Sequence, residues 1–224
     1  PLRDVYKRQV VDYKSSRKSL DYSQLEAGLM LQMLTYFDVA LTHSQALFGQ
    51  AHRPMSAFYA HVYSPWLNYT DLLNQSAEEA WLKAFKYDGL IVNYPDMFGQ
   101  FEQTLAPKVG SLIYPIKLNA DGTPSKRSKI ITPTELKLMF QHNRALIQQA
   151  GKAIISGQIE LRPYKDQYAD SAPGGKFHSI SLFDALLPEN NYRYLENLSK
   201  EEYIQKLQTI YEQLQGDDND ESIS

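Results

Sequence analysis

The chain has 224 residues, 43% of them hydrophobic, with 23 Lys and Arg against 26 Asp and Glu, a formal net charge of -3 and no cysteine. That size and apolar fraction suffice for one sizeable core, while the missing cysteines exclude disulfides and thiolate metal sites and fit a reducing, cytoplasmic setting. No apolar run reaches the roughly eighteen residues a membrane helix needs, so no membrane is expected among the partners; a slightly acidic balance argues against a general polyanion binder.

Residues 1–9, Pro-Leu-Arg-Asp-Val-Tyr-Lys-Arg-Gln, resemble adaptor-derived sequence at fragment ends. They are set aside as a non-native leader, and the natural protein is expected to be much longer. Val10 and Val11 open a strand expected to run to Lys14. On a strand, residues two apart share a face, which puts Asp12 and Lys14 on one site. Ser23-Gln24-Leu25-Glu26 has the form of a capping box, and the helix it opens is expected to reach His43. Along it Leu25, Gly28, Leu29, Gln32, Met33 and Tyr36 recur at helical spacing. Gln32 and Tyr36 are then i and i+4 on the stripe expected to pack against the strand, with Gly28 permitting close approach.

Further strands are expected from about Ala57 to Tyr63 and from Gly89 to Asn93, with a helical turn over Ala77–Leu82 and a short helix over Phe98–Leu105. Residues 67–73 read as loop or short helix. Asp121-Gly122-Thr123-Pro124-Ser125 reads as a turn. Thr132 followed by Pro133 and Glu135 starts a helix that reaches about Gly157. Pro163–Phe183 reads mostly as loop, and Lys200–Leu214 as an amphipathic helix. The last stretch, 208–224, is expected to hold that helix end and an acidic disordered tail from Gly216.

The residue types at the first strand suit one chemistry. A Mg²⁺ ion takes hard oxygen ligands and keeps several waters, so a carboxylate, a main-chain carbonyl and a substrate phosphate can hold it. An ammonium two residues on can orient the attacking water and offset charge that builds on the phosphorus. Asp-x-Lys is also a common tripeptide, most often an exposed turn or an ordinary ion pair, and needs context to count.

Val10-Val11-Asp12-Tyr13-Lys14-Ser15-Ser16 followed by Gly28-Leu29-Met30-Leu31-Gln32-Met33-Leu34-Thr35-Tyr36 resembles the third motif and the Q-x-x-x-Y motif of the RecB-type branch of the PD-(D/E)xK nucleases. More narrowly it resembles the C-terminal nuclease domain of the B subunits of AddAB/RexAB helicase–nucleases. The likeness continues through Phe58-Tyr59-Ala60-His61-Val62, Lys86-Tyr87-Asp88-Gly89-Leu90, Gly157 to Tyr164 and Ser181 to Pro188, covering Val10 to about Leu207. It implies an α/β, restriction-endonuclease-like PD-(D/E)xK core, truncated at its N-terminal side, with additional helices, over residues 10–207.

Two departures stand out. The family's earlier acidic motif, which supplies the second metal carboxylate, has no room before Val10, so this stretch of chain is expected to hold half a site and to cut nothing by itself. The AddB form carries a cysteine cluster for an iron–sulfur centre; with no cysteine, this chain follows the RexB form, no iron–sulfur cluster is expected, and Ala172–Asp184 should close by packing.

The resemblance implies Mg²⁺-dependent exonucleolytic hydrolysis of DNA with 5′ to 3′ polarity, in double-strand break repair and recombination, by a heterodimer with a helicase–nuclease partner of the AddA/RexA type. It implies that Asp12 and the Tyr13 carbonyl bind the metal, that Lys14 positions the water, and that Gln32 and Tyr36 hold the motif and the DNA. The alternative is a scaffold or DNA-binding module of the same complex that lacks catalysis. Elsewhere, five scattered histidines form no zinc spacing, and no nucleotide-binding fingerprint is present. Between Lys117 and Lys176 ten Lys and Arg meet five Asp and Glu, a stretch that reads equally as a phosphate-tracking surface or a solvated one.

Overall fold

The structure is a computed structural model and describes residues 10–12, 18–60, 67, 69–73, 75–94, 96, 105, 107–108, 110–126, 128–160, 162–166, 178–188 and 190–221. Its α/β chain divides into two compact units, one built from residues 1–20 and 32–137, the other from 21–31 and 138–224.

The first unit centres on a three-stranded mixed sheet in the order β1-β2-β3. Strand β1 (Ser56–Tyr59) runs antiparallel to β2 (Asp88–Val92), pairing Ser56 with Ile91 and Tyr59 with Asp88. Strand β3 (Ile130–Ile131) lies parallel on the other side of β2. A middle strand covered on both faces should be continuously apolar, and Leu90, Ile91 and Val92 are all buried. Ile91 packs with Ile116, Leu118 and Ile130, and Phe58, Leu105 and Tyr114 close over them. Gly89 is demanded by this pairing: its φ is +149, and a Cβ there would stand 2.1 Å from the Ala57 carbonyl oxygen. Before β3 the chain turns back in two isolated bridges, Gly110 with Lys117 and then Leu118 with Pro124, the second around the expected turn at 121–125. Buried Ser128 is satisfied there: its hydroxyl accepts from Lys117 N at 2.8 Å and donates to Lys117 O at 2.9 Å.

Helices α2 (Leu31–Thr42), α3 (Ser44–Phe48) and α4 (Ala77–Ala84) complete this unit, with a 3₁₀ turn at Tyr69–Leu72. Ser76 caps α4 by accepting from Glu79 N at 3.1 Å.

The second unit gathers α1 (Tyr22–Glu26), most of α5 (Pro133–Ile155) and α7 (Lys200–Glu221). Tyr203, Ile204 and Leu207 of α7 are buried. The Tyr22 and Tyr203 rings meet at 5.7 Å, and Leu198 N donates to Ser23 Oγ at 2.9 Å. Lys206 bridges Glu26 at 2.8 Å and Glu196 at 3.0 Å. Strands β4 (Tyr164–Asp166) and β5 (Arg193–Leu195) form a separate parallel pair, and α6 (His178–Ser181) precedes Phe183, whose ring packs on Tyr192 at 4.8 Å.

Several expectations need correction. The single helix from Ser23 to His43 is two: α1 ends at Gly28, whose φ of +76 is the left-handed conformation that closes helices, and α2 begins at Leu31. The cap is Asp21, whose Oδ1 accepts from Ser23 N and Gln24 N, so the Ser23–Glu26 capping box does not form. Residues 10–12 are not in a strand: Val10 and Val11 are exposed, so the run buries no apolar face that would hold a strand in place, and residues 13 and 14 lie outside the described residues. Residues 216–221, expected to be disordered, continue α7, since extending a formed helix is far easier than starting one. Within Pro163–Phe183, β4 and α6 replace part of the expected loop. The helix expected over Phe98–Leu105 lies outside the described residues apart from Leu105, as do the end of the Ala57–Tyr63 strand and residues 172–177. The Thr132 start of α5 holds in full: Thr132 N donates to Glu135 Oε2 at 2.5 Å, and Glu135 N to Thr132 Oγ1 at 3.1 Å.

Candidate functional site

Five residues carry the sequence argument, and the structure describes three of them. Asp12, Gln32 and Tyr36 all belong to the first unit; Tyr13 and Lys14 lie outside the described residues.

Helix α2 presents two faces. Leu34 and Asp38, four apart, are its buried residues. Gln32 stands two residues from Leu34, about 200° around the helix. It is exposed, and Tyr36 is 42% exposed. The expectation that this pair packs against a strand is therefore wrong in its orientation: the packing stripe is Leu34 and Asp38, because the break at Gly28 lets α2 set its own phase. What survives is the i, i+4 relation itself. The Gln32 Nε2 amide donates to the Tyr36 hydroxyl at 2.8 Å, which fixes both tips as one polar unit on the surface.

Asp12 is exposed, and its charge reaches Tyr59. The Tyr59 phenol is held above its ordinary pKa chiefly by burial, then by Asp88 and by Asp12, since both carboxylates oppose a phenolate. Asp88 faces Tyr59 across the β1–β2 ladder. Lys129 answers that carboxylate: its Nζ is 2.5 Å from Asp88 Oδ1 and 3.3 Å from the Leu20 carbonyl oxygen. Tyr59, which feels the charge of both Asp12 and Asp88, and Lys129, which pairs with Asp88, are polar groups that sequence reasoning did not single out. Tyr59 and Asp88 do sit inside the quoted Phe58–Val62 and Lys86–Leu90 segments, but Lys129 is forty-one residues from Asp88 with no local signal.

An exposed carboxylate such as Asp12 is a suitable hard donor for a divalent ion. Among the described residues, however, no group of three or more His, Asp or Glu is arranged to hold a metal, and Asp88 is already paired with Lys129. These residues alone do not complete a metal site. His142 is buried and its Nε2 lies 3.1 Å from the Glu26 carbonyl oxygen; burial pushes its pKa down. Within the basic stretch 117–176, Lys129 is engaged by Asp88 and Arg162 pairs with Glu160 at 3.0 Å.

The family profile described as the PD-(D/E)XK nuclease superfamily matches residues 3–171. The chain belongs to the PD-(D/E)XK nuclease superfamily. All five candidate residues lie inside that match, and nucleases of this superfamily generally use divalent metal ions. Among curated proteins, this superfamily member is 37% identical over 203 residues to the B subunit of the ATP-dependent helicase/deoxyribonuclease of Enterococcus faecalis, covering 88% of this chain and 17% of that protein. It is 35% identical over 209 residues to the protein of the same name from Latilactobacillus sakei, covering 88% and 18%, and 31% identical over 198 residues to that of Oceanobacillus iheyensis, covering 88% and 17%. The chain therefore spans about a sixth of the length of these relatives. No helix among the described residues is long and apolar enough to cross a membrane.

Proposed function

We propose that this chain is the nuclease domain of the B subunit of a two-subunit helicase–nuclease, hydrolysing phosphodiester bonds in DNA strands that the helicase delivers. In this reading the partner is a helicase–nuclease of the AddA/RexA type, the strand is degraded from 5′ to 3′, and the complex serves double-strand break repair and recombination in the cytoplasm. The exposed, hydrogen-bonded Gln32–Tyr36 pair carries the proposal. A glutamine and a tyrosine hydrogen-bonded on an exposed helix face offer a strand an amide and a hydroxyl at fixed spacing.

Asp12 is the proposed carboxylate ligand and Tyr13 the proposed carbonyl ligand of Mg²⁺, because such oxygens suit that ion. Bound there, the ion would act as a Lewis acid at the phosphate. Lys14 is proposed to position the attacking water and to offset charge on the phosphoryl oxygens. Gln32 and Tyr36 are proposed to hold the strand and the motif in register.

The second reading is a DNA-binding scaffold of the same complex without catalysis. Asp12→Ala in the full-length protein, paired with its helicase partner, separates the two. The 5′ to 3′ degradation assigned to this subunit should vanish while unwinding, driven by motors elsewhere, survives. Unchanged cleavage supports the scaffold reading; loss of both activities in a folded complex makes Asp12 structural.

A further inference from the structure

The C-terminal half of α5 is built to be covered. Ile147, Ala150, Gly151, Ile154 and Ile155 follow the i, i+3, i+4, i+7, i+8 spacing of one helix stripe. Such a stripe normally faces a core. Here Ile154 is 77% exposed, Ile155 89%, and Ile159 just beyond the helix 91%. The helix end is well formed, so fraying does not account for the exposure: Gln158 N donates to the Ala153 carbonyl at 3.0 Å and Gly157 N to that of Ile154 at 3.1 Å, closing it with a left-handed glycine. At the centre of the stripe, Ala150 and Gly151 leave room for a close neighbour, and a Cβ at Gly151 would meet nothing within 4 Å. From Ala145 to Ile159 the only charged residue is Lys152. A transient docking surface carries a charged, solvated rim; a surface this poor in charge resembles an obligate interface.

We infer that this stripe is an internal interface of the longer protein, covered by an apolar segment from the part of the same polypeptide outside residues 1–224. The inference rests on the reading of the chain as a domain of a B-type subunit. Matched relatives carry about five-sixths of their length outside the region shared with this chain, as the 17% coverage states. A segment joined to the domain meets the stripe at an effective concentration that can reach about millimolar, which a separate partner does not. Permanent cover by the same chain also explains why no charge guards the isoleucines against self-association.

The test uses the full-length protein purified without its helicase partner, with p-benzoylphenylalanine in place of Ile155 and, as control, in place of Gln149 on the opposite side of α5. Irradiation should join position 155 to a peptide from outside residues 1–224 in the same polypeptide, with the Gln149 variant at background. Cross-linking to a second copy, or no cross-link until the helicase partner is added, overturns the inference. As a second measurement, Ile155→Asp in the unpartnered protein should raise protease cleavage near residue 157 by about tenfold, the change expected from roughly 1.4 kcal/mol of lost cover. An unchanged cleavage rate overturns the inference as well. Neither result depends on DNA hydrolysis, and failure of the Asp12→Ala test would leave both readouts standing.

Discussion

Lys129 Nζ lies 2.5 Å from Asp88 Oδ1, tying the residue before β3 to the first residue of β2 at the end of the sheet that also carries Tyr59. Both side chains keep a quarter to a third of their surface exposed, so the bond is screened but not solvated away. Lys129→Ala should destabilise the fold by about 1–2 kcal/mol, mostly because a half-buried carboxylate loses its partner. In Asp88→Asn combined with Lys129→Ala, the loss should be smaller than the sum of the single losses, because each removes the same bond. Urea unfolding of the four proteins checks this; strict additivity would show that the two groups act independently.

The fold was legible where local chemistry decides it. Thr132-Pro133-Thr134-Glu135 specifies a helix start through bonds made within four residues, and the start forms as expected. The Leu90-Ile91-Val92 run marks a buried strand by composition alone. The α2 phase was not legible, because it depends on Asp21 rather than Ser23 taking the orphan amides and on Gly28 ending the first helix. The two-residue β3 carries too little pattern to stand out and is defined by its pairing to β2. Of the site, the residue identities came from motif likeness, while Lys129 and the pairing of Tyr59 with Asp88 required knowing which segments meet across tens of residues.

Tyr59 gives a readout of Asp12. Its phenol is raised by burial first and by Asp88 and Asp12 after it. A raised phenol contributes stability that is present below the ordinary value near 10 and is lost as pH climbs through the folded-state value. Alkaline unfolding should therefore set in above about pH 10. Ultraviolet titration, taken as a difference from Tyr59→Phe, should show Tyr59 ionising at lower pH in Asp12→Asn than in the parent. No movement in that variant would place Asp12 out of electrostatic reach.

His142 predicts the opposite limb. Burial lowers its pKa; the Glu26 carbonyl and charge pull it upward, and Lys206 pulls it down. The folded state thus resists protonation, so the contribution is full above about 6.5, the unfolded value, and is lost as pH falls through the folded value. Urea midpoints should decline on acidification below about pH 6.5. His142→Gln, which cannot titrate, should flatten that limb while costing some stability at neutral pH. An equally steep decline in the variant would assign the acid sensitivity to carboxylates instead.

The Gln32–Tyr36 pair offers the cleanest separation of function from folding. Because Tyr36 is 42% exposed and Gln32 is on the surface, deleting either leaves no closed cavity. Tyr36→Phe removes one exposed hydrogen bond and Gln32→Ala the other half of it, so each should cost no more than about 1 kcal/mol. Even Tyr36→Ala should fall well short of the roughly 3–5 kcal/mol of a buried aromatic deletion. If the two tips hold a DNA strand, cleavage by the full-length complex should drop in Gln32→Ala and in Tyr36→Phe at nearly unchanged melting temperature. The double variant should be no worse than the more damaging single, since the amide and hydroxyl act as one unit. Parent-level cleavage in Gln32→Ala would leave the pair as a solvent-exposed hydrogen bond and remove the main structural support for the strand-holding role.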